Sequence, residues 1–115
     1  MFLSSFIFDK KEYDAEFYRL DGEIEAFTQR LPGYIGMESF TDAASGRVIN
    51  NYYWQDRASM DQLITDTRHR TAKMLSEKWI AGFQVVIAQI EGAHNMNMAH
   101  PLAERPLRYQ PDKNA

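Results

Sequence analysis

The chain has 115 residues, of which 25% are charged and 44% are hydrophobic, and its formal net charge is -3. A chain of this length has room for one domain, which buries roughly two thirds of the surface that its unfolded form exposes. The thirteen Lys and Arg residues are interleaved with sixteen Asp and Glu residues. This balance argues against a nucleic-acid binder, because neutralising phosphates requires a basic surface. The absence of cysteine excludes disulfides, thiolate catalysis and thiolate metal sites.

The N-terminal stretch MFLSSFIFDKK is apolar for only a few residues and becomes charged at Asp9, Lys10 and Lys11. It has no basic segment in front of the apolar one, so it indicates a first strand and not a signal peptide. No segment of the sequence approaches the roughly 20 apolar residues that a membrane-spanning helix requires. We therefore expect a cytoplasmic protein with neither a membrane nor a nucleic acid as its partner.

The first third of the chain predicts a strand followed by a helix. In Phe2–Asp9, both the odd-numbered and the even-numbered positions include apolar side chains, as in a strand buried on both faces. From Asp14 onward the apolar residues recur every three or four positions, which predicts an amphipathic helix. Its apolar stripe consists of Phe17, Leu20, Ile24, Phe27 and Leu31. Pro32 and Gly33 are predicted to end this helix.

The middle of the chain predicts a β-hairpin and a second helix. Tyr34–Thr41 and Arg47–Trp54 are strand-like, and the short connection between them contains a glycine, as hairpin loops commonly do. Asp56 then has the character of an N-cap residue. The second helical stretch begins there, is predicted to break near Thr65–Thr67, and is predicted to end at Gly82.

The last predicted strand, Phe83–Ile90 (FQVVIAQI), is apolar on both sides. The element order β-α-β-β-α-β predicts an α+β ferredoxin-like fold, with two helices on one face of a four-stranded antiparallel sheet. The second sheet face should also be covered, because large exposed apolar faces are rare in soluble monomers. A second copy of the chain would cover it in a homodimer; alternatively, the tail folds back over the sheet. Residues 1–92 are predicted to form the domain, and residues 93–115 an irregular C-terminal arm.

Four segments of the chain form a combined pattern: PGYIGMES (Pro32–Ser39), NYYWQDRASMDQL (Asn51–Leu63), RHRTA (Arg68–Ala72), and Trp79 followed by FQVVIAQIEG. This pattern resembles the antibiotic biosynthesis monooxygenase family, whose members are dimeric α/β barrels of two ferredoxin-like protomers. The resemblance implies a homodimeric oxidoreductase, a monooxygenase that uses O2 on an aromatic or quinol-like small molecule without a bound cofactor. The family also includes haem-degrading enzymes and proteins with no known activity. A haem-binding or haem-degrading monooxygenase and a non-enzymatic, small-molecule-binding stress-response dimer are therefore the alternatives.

His69 is the predicted general base. Oxygenation without a cofactor requires a phenol or similar acid to lose a proton in a dry pocket, after which the substrate anion itself reduces oxygen. His69 is the one histidine inside the predicted domain, and the adjacent Arg68 and Arg70 would keep it neutral and able to accept a proton. Arg70 is also predicted to bind substrate. The alternative is an ordinary, partly exposed histidine on the outside of a helix.

Four further residues are predicted to shape the substrate pocket: Asn51, Tyr53, Trp54 and Trp79. Tyrosine and tryptophan combine an apolar body with a polar tip, which suits the walls of a pocket for a flat aromatic molecule. Asn51 is expected to orient the substrate as a hydrogen-bond donor. Because successive strand residues point to opposite faces, either Tyr53 with Asn51 or Tyr52 with Trp54 can line one cavity. The alternative is ordinary core packing with one dimer contact.

Two metal-based alternatives rest on histidines. The haem-degrading branch of the family uses an asparagine on the first strand and a tryptophan and a histidine on the second helix. Leu63 and Lys73 stand at the helix positions here and the first strand has no asparagine, so the haem-degrading triad is missing. Haem is the alternative cofactor only if His69, predicted one turn before Lys73, is its ligand. In the arm, the alternating side chains of His94, Met96, Met98 and His100 have the donors that copper prefers. Methionines in such an arm can equally pack against a partner subunit.

Overall fold

The computed structural model describes residues 1–66, 71–73 and 76–112, which alternate between strands and helices. The elements are β1 (Phe2–Lys10), α1 (Ala15–Gln29), β2 (Tyr34–Thr41), β3 (Val48–Trp54), α2 (Arg57–Thr65), α3 (Ser76–Trp79) and β4 (Ile80–Gln89). Residues 71–73 are also helical. The order of these elements confirms the predicted α+β class.

The four strands form one antiparallel sheet in the order β2-β3-β1-β4, which is the ferredoxin-like arrangement. The central strand β1 pairs with β3 on one side and with β4 on the other. Leu3, for example, lies opposite Tyr53 of β3 and Ala88 of β4. These side chains therefore point to one face of the sheet, and their neighbours Phe2 and Trp54 point to the other.

Two aspartates begin the helices, as capping chemistry requires. Asp14 Oδ1 accepts hydrogen bonds from the Phe17 backbone N–H at 2.9 Å and from the Trp79 indole N–H at 3.1 Å. One carboxylate thus caps α1 and ties it to the residue that precedes β4. Asp56 Oδ1 accepts from the backbone N–H of Ser59 at 2.8 Å, which confirms the predicted N-cap of α2.

The predicted stop at Pro32 and Gly33 is also the point where α1 meets α2. The Gly33 backbone N–H donates to Ser59 Oγ at 2.8 Å. A β-carbon at Gly33 would overlap the side chains of Asp56 and Ser59, so glycine is required by close approach.

The main core lies between the helices and one face of the sheet. Leu31, Trp54, Met60 and Leu63 form its buried cluster, in which Trp54 is 0% exposed. The indole N–H of Trp54 donates to Ser4 Oγ at 3.0 Å, so its polar atom is satisfied. Partly buried side chains extend the cluster: Phe2, Ile24, Phe27, Tyr34, Tyr52 and Ile64.

The second half of the chain differs from the prediction at one boundary. The break after Thr65 is confirmed, because Asp66 has an extended backbone with ψ of 138°. The predicted helix end at Gly82 is wrong: the helix ends at Trp79, and Gly82 lies within β4, opposite Asp9. The physical reason is that β1 continues to Lys10 and offers backbone partners to residues before Phe83, at the cost of a register shift next to Asp9.

The edge strand β4 is exposed along almost its whole length, from residue 81 to residue 89, and on both faces. Phe83, Val85, Val86 and Ile87 are among the large apolar side chains left in contact with solvent. The apolar composition of β4 predicted that both of its faces are covered. Within a single chain, both faces of β4 are exposed. No helix among the described residues is long and apolar enough to cross a membrane.

Residues 93–112 of the arm run back across the sheet face that lies opposite the helices. Ala93 and Leu107 exchange two backbone hydrogen bonds, of 2.9 and 3.0 Å, and close this segment into a loop. Pro101 lies against Gly36 of β2, and the Arg105 guanidinium donates to Gln55 Oε1 at 2.6 Å. The tail thus folds back over part of the sheet, as one of the two alternatives predicted. The homodimer and the boundary between domain and arm at residue 92 stay predictions.

Candidate functional site

A cluster of polar side chains lies where the arm crosses the sheet. Glu38 of β2 lies opposite Asn51 of β3, and Tyr53 is two positions farther along the same face. Glu38 Oε1 accepts from the Tyr53 hydroxyl at 2.5 Å and from Asn51 Nδ2 at 3.4 Å, and it lies 3.3 Å from Nε2 of His100. The Ser5 hydroxyl donates to Asn51 Oδ1 at 2.7 Å and thereby fixes the orientation of the amide. Three strands and the arm contribute to this cluster.

The cluster favours a charged Glu38 and a protonated Tyr53. Burial alone would raise the pKa of Glu38, but hydrogen bonds from Tyr53 and Asn51 and the proximity of His100 outweigh burial and hold it below its usual value. Burial, the hydrogen bond to Glu38 and the charge of Glu38 all raise the pKa of the Tyr53 phenol. Tyr53 is therefore a hydrogen-bond donor at neutral pH and not a base.

The imidazole of His100 is oriented at both of its nitrogens. The Leu102 backbone N–H donates to Nδ1 at 3.0 Å, so in the neutral ring the proton resides on Nε2, which faces Glu38. The ring also meets the Tyr53 ring edge-on, with 5.0 Å between centroids. His100 thus links the arm to β2 and β3.

Beside this cluster lies a partly open groove of about 420 Å³. The residues that line it are Leu3, Tyr53, Ile90, Gly92, Ala93, His94, Asn95, Met98, His100 and Leu102. None of these described lining residues is acidic, and most of the surface that they present is apolar. A groove with apolar walls and a few polar groups suits a small, flat molecule with hydroxyl or carbonyl groups at its edge.

The structure describes four of the six predicted site residues, and they lie in three different places. Asn51 and Tyr53 lie together on the arm side of the sheet, next to the groove. Trp54 is in the core on the helix side, and Trp79 is buried against Phe17 of α1 with its indole bonded to Asp14. His69 and Arg70 lie outside the described residues, so their predicted roles stay predictions.

Three members of the cluster were not among the predicted site residues: Ser5, Glu38 and His100. A signal for Glu38 existed, because the short connection between β2 and β3 fixes a register in which Glu38 faces Asn51. Ser5 would follow from pairing β1 with β3, where it lies opposite Asn51. For His100 there was no such signal, since the path of an irregular arm is not encoded in a periodic pattern.

The stretch of the arm that holds the alternating histidines and methionines is not extended. Asn95 Oδ1 accepts from the Met98 backbone N–H at 3.1 Å, its amide donates to the Met98 carbonyl at 2.8 Å, and Asn97 has a φ of 54°. This tight turn interrupts the extended geometry on which a copper site depended, and it leaves Met96 and Met98 85% and 66% exposed. Among the described residues there is no group of three or more His, Cys, Asp or Glu side chains suited to a metal ion.

The fold is shared with solved structures whose sequences are distant. SnoaB, a cofactor-independent oxygenase from Streptomyces nogalater, is 13% identical with a TM-score of 0.62, over 84% of this chain and 95% of SnoaB. An antibiotic biosynthesis monooxygenase is 18% identical with a TM-score of 0.60, over 78% of this chain and 98% of that protein. A conserved protein from Methanosarcina mazei Go1 is 18% identical with a TM-score of 0.63, over 76% of this chain and 90% of that one.

No family model and no curated protein sequence matches the chain. The structural likeness nevertheless confirms the fold that the sequence pattern predicted, that of the antibiotic biosynthesis monooxygenases. At these low identities the comparison concerns the fold alone.

Proposed function

We propose that the protein is a monooxygenase that uses O2 to oxidise a phenolic or quinol-like small molecule without a bound cofactor. The observation that carries this proposal is the groove beside Tyr53 and Asn51, in a protein with the fold of a cofactor-independent oxygenase. Apolar walls exclude water from a bound aromatic ring, and the polar groups of His94, Asn95 and His100 lie within the same groove.

The chemistry balances without any further reactant. When a phenol with a free ring C–H becomes a quinone, one atom of O2 enters the ring and the other leaves as water. The substrate itself supplies all four electrons. The protein has only to bind the substrate, remove the phenolic proton and keep the resulting anion out of bulk water.

His69 is the proposed base for this proton. Tyr53 does not compete for the role, because burial and Glu38 raise the pKa of its phenol. Glu38 is a weak base, since the pKa of its carboxyl is held below the usual value. Tyr53 lines the groove, and Asn51, next to it on the same sheet face, is the second proposed substrate-orienting residue. Arg70 belongs to the proposed substrate site as well, and Trp54 and Trp79 support it from the core.

The decisive experiment supplies a panel of hydroquinones and naphthols under ¹⁸O2 and measures oxygen uptake and the mass of the product. We expect one labelled oxygen atom in the quinone and a loss of at least tenfold in rate in His69→Ala. Lys73→Ala, a change of an exposed residue four positions farther along the chain, should retain the wild-type rate. An unlabelled quinone accompanied by hydrogen peroxide would identify simple oxidation and contradict the proposal.

The same preparation tests the two alternatives. A Soret band on titration with haem, lost in His69→Ala, would favour the haem-dependent reaction. Tight binding of a quinol with no oxygen uptake would favour a non-enzymatic binding protein. In the proposed cytoplasmic location the O2-dependent reaction needs no reductant from the cell.

We propose further that the functional form is a homodimer, because the exposed apolar strand β4 needs a cover. A second copy can supply an apolar surface of the same kind, as the interfaces of symmetric dimers do. Analytical ultracentrifugation should find a dimer that Val86→Lys dissociates, since a charge at this exposed β4 position would be buried in the interface. Tyr18→Lys, at an exposed position of α1, is the matched control and should stay dimeric. A wild-type monomer at all concentrations would refute the dimer.

A further inference from the structure

The arm supplies much of the groove's wall. Asn95, Met98, His100 and Leu102 come from the arm, whereas β1 and β3 contribute only Leu3 and Tyr53. Leu102 is buried in this contact although the chain around it has no regular secondary structure. If the arm left the sheet, the groove would lose one side and Tyr53 would face solvent.

The docked arm is held by a small number of specific contacts. Pro101 lies so close to Gly36 that a β-carbon there would come within 3.2 Å of the proline side chain. Arg105 reaches Gln55 just beyond β3. Next to Pro101, His100 is the arm side chain that engages the polar cluster, and both it and Glu38 are mostly buried, with 23% and 20% of their side chains exposed.

Glu38 is the centre of this attachment. Its Oε1 atom is shared by Tyr53, Asn51 and His100, so one carboxylate joins two strands to the arm. The Leu102 N–H occupies Nδ1 of His100 and leaves Nε2–H as the donor toward Glu38. A carboxylate that accepts several donors gives stronger hydrogen bonds than a neutral acceptor, and it selects this tautomer of the ring.

We propose that the arm is a strap over the groove and that Glu38 is the positioning residue that holds the strap closed through His100. A ligand enters when His100 leaves Glu38 and the loop between Ala93 and Leu107 lifts from the sheet. The chemical class of the ligand, a phenol or quinone, rests on the proposed function, whereas the closure of the strap does not. Glu38 acts through His100 and Tyr53 and does not line the groove itself.

Hydrogen exchange tests the strap without any catalytic turnover. In Glu38→Ala, amide exchange of residues 93–107 should rise at least tenfold while exchange within α1 stays unchanged. His100→Ala removes the same contact from the arm side and should have the same effect, so the outcome does not depend on the folding of one variant. Glu23→Ala, which removes an equal charge from α1, is the control. Wild-type exchange of the arm in a folded Glu38→Ala or His100→Ala protein would overturn the proposal.

A spectroscopic measurement separates positioning from a merely structural role. Long-range ¹H–¹⁵N correlation spectra should identify the Nε2–H tautomer of His100 in the wild type. In Glu38→Ala a share of the Nδ1–H tautomer should appear, because the Leu102 N–H alone then favours Nε2–H. Glu38→Gln, which keeps an acceptor oxygen, should largely restore the wild-type tautomer. An Nδ1–H tautomer in the wild-type protein would overturn the proposed contact with Glu38.

Access to the groove is measured with 1,4-naphthoquinone as the probe, through quenching of protein fluorescence in stopped flow. The association rate should rise at least tenfold in Glu38→Ala, because the closed strap no longer limits entry. An unchanged rate together with faster exchange of the arm would refute gating of the groove. If 1,4-naphthoquinone does not bind the wild type at all, the ligand class of the proposed function fails, and the exchange experiment still decides the strap.

Discussion

The two faces of the sheet are built on opposite principles. On the helix side, Trp54, Met60 and Leu63 pack into an apolar core, and the one polar atom of Trp54 is satisfied by Ser4. On the arm side, Glu38 and Tyr53 form a hydrogen-bonded cluster next to a groove. Apolar burial stabilises a fold without directional contacts, whereas a buried carboxylate needs every donor in position. We therefore expect the helix side to supply most of the stability, whereas the proposed binding site lies on the arm side.

The largest effect should come from the core. Trp54→Ala removes a completely buried indole, and we expect the free energy of unfolding to fall by about 3–5 kcal/mol in urea titrations. The structure of the groove and the arm should change only as far as the whole protein unfolds more readily. A cost below about 1 kcal/mol would break the comparison, since it would mean that the helix side is not the main source of stability.

A smaller and more local effect is expected from Tyr53→Phe. The change removes the hydroxyl that donates to Glu38 but keeps the ring, and a hydrogen bond to a charged acceptor contributes about 1.5–3 kcal/mol. The pKa of Glu38 should rise because one of its stabilising donors is lost. Urea unfolding measures the first quantity, and ¹³C-detected titration of the carboxyl measures the second. An unchanged Glu38 pKa would show that the hydroxyl does not interact with it in solution.

The pH dependence of Glu38→Gln sharpens the contrast further. The folded-state pKa of Glu38 lies below the ordinary value of 4.5, so its charge stabilises the fold above about pH 4.5. That contribution is lost as the pH falls through the depressed pKa. The stability difference between wild type and Glu38→Gln should therefore be constant near neutrality and shrink below pH 4.5, in denaturant titrations repeated across pH. A difference that grew on acidification would have the wrong sign for a depressed carboxyl pKa.

The smallest effects come from a matched pair of glycines. Gly22 lies in α1 with open space where a β-carbon would stand, so Gly22→Ala should stabilise the protein by about 0.5–1 kcal/mol. Gly36→Ala would press on Pro101 and should loosen the arm with little change in the helix-side core. Thermal unfolding and amide exchange distinguish the two. Identical behaviour of both variants would indicate that the arm does not rest on β2.

Much of the fold could be predicted from periodicity and capping chemistry. The strand Tyr34–Thr41 and the cap at Asp56 follow from local residue types. The end of the second helix was missed, because pairing with β1 draws Gly82 into β4 although glycine usually ends helices. Pairing with β1 thus outweighed the preference of glycine for helix ends.

Less of the candidate site could be predicted. Strand parity predicts that Asn51 and Tyr53 point to one sheet face and Tyr52 and Trp54 to the other, but parity does not say which of the two faces lies against the helices. The partners of Tyr53 depend on strand register for Glu38 and on the path of the arm for His100, and the second of these has no periodic signal. The roles assigned to His69 and Arg70 stay predictions.

The edge position of β4 has a practical consequence for handling the protein. Phe83–Gln89 contains no proline and no charged residue, and its outer backbone groups have no neighbouring strand within the described part of the chain. Such a segment is a template for cross-β aggregation when it is left unprotected. In the proposed homodimer a second copy protects β4, so samples dilute enough to separate the subunits should precipitate more readily than concentrated ones, the reverse of the usual behaviour of a purified protein.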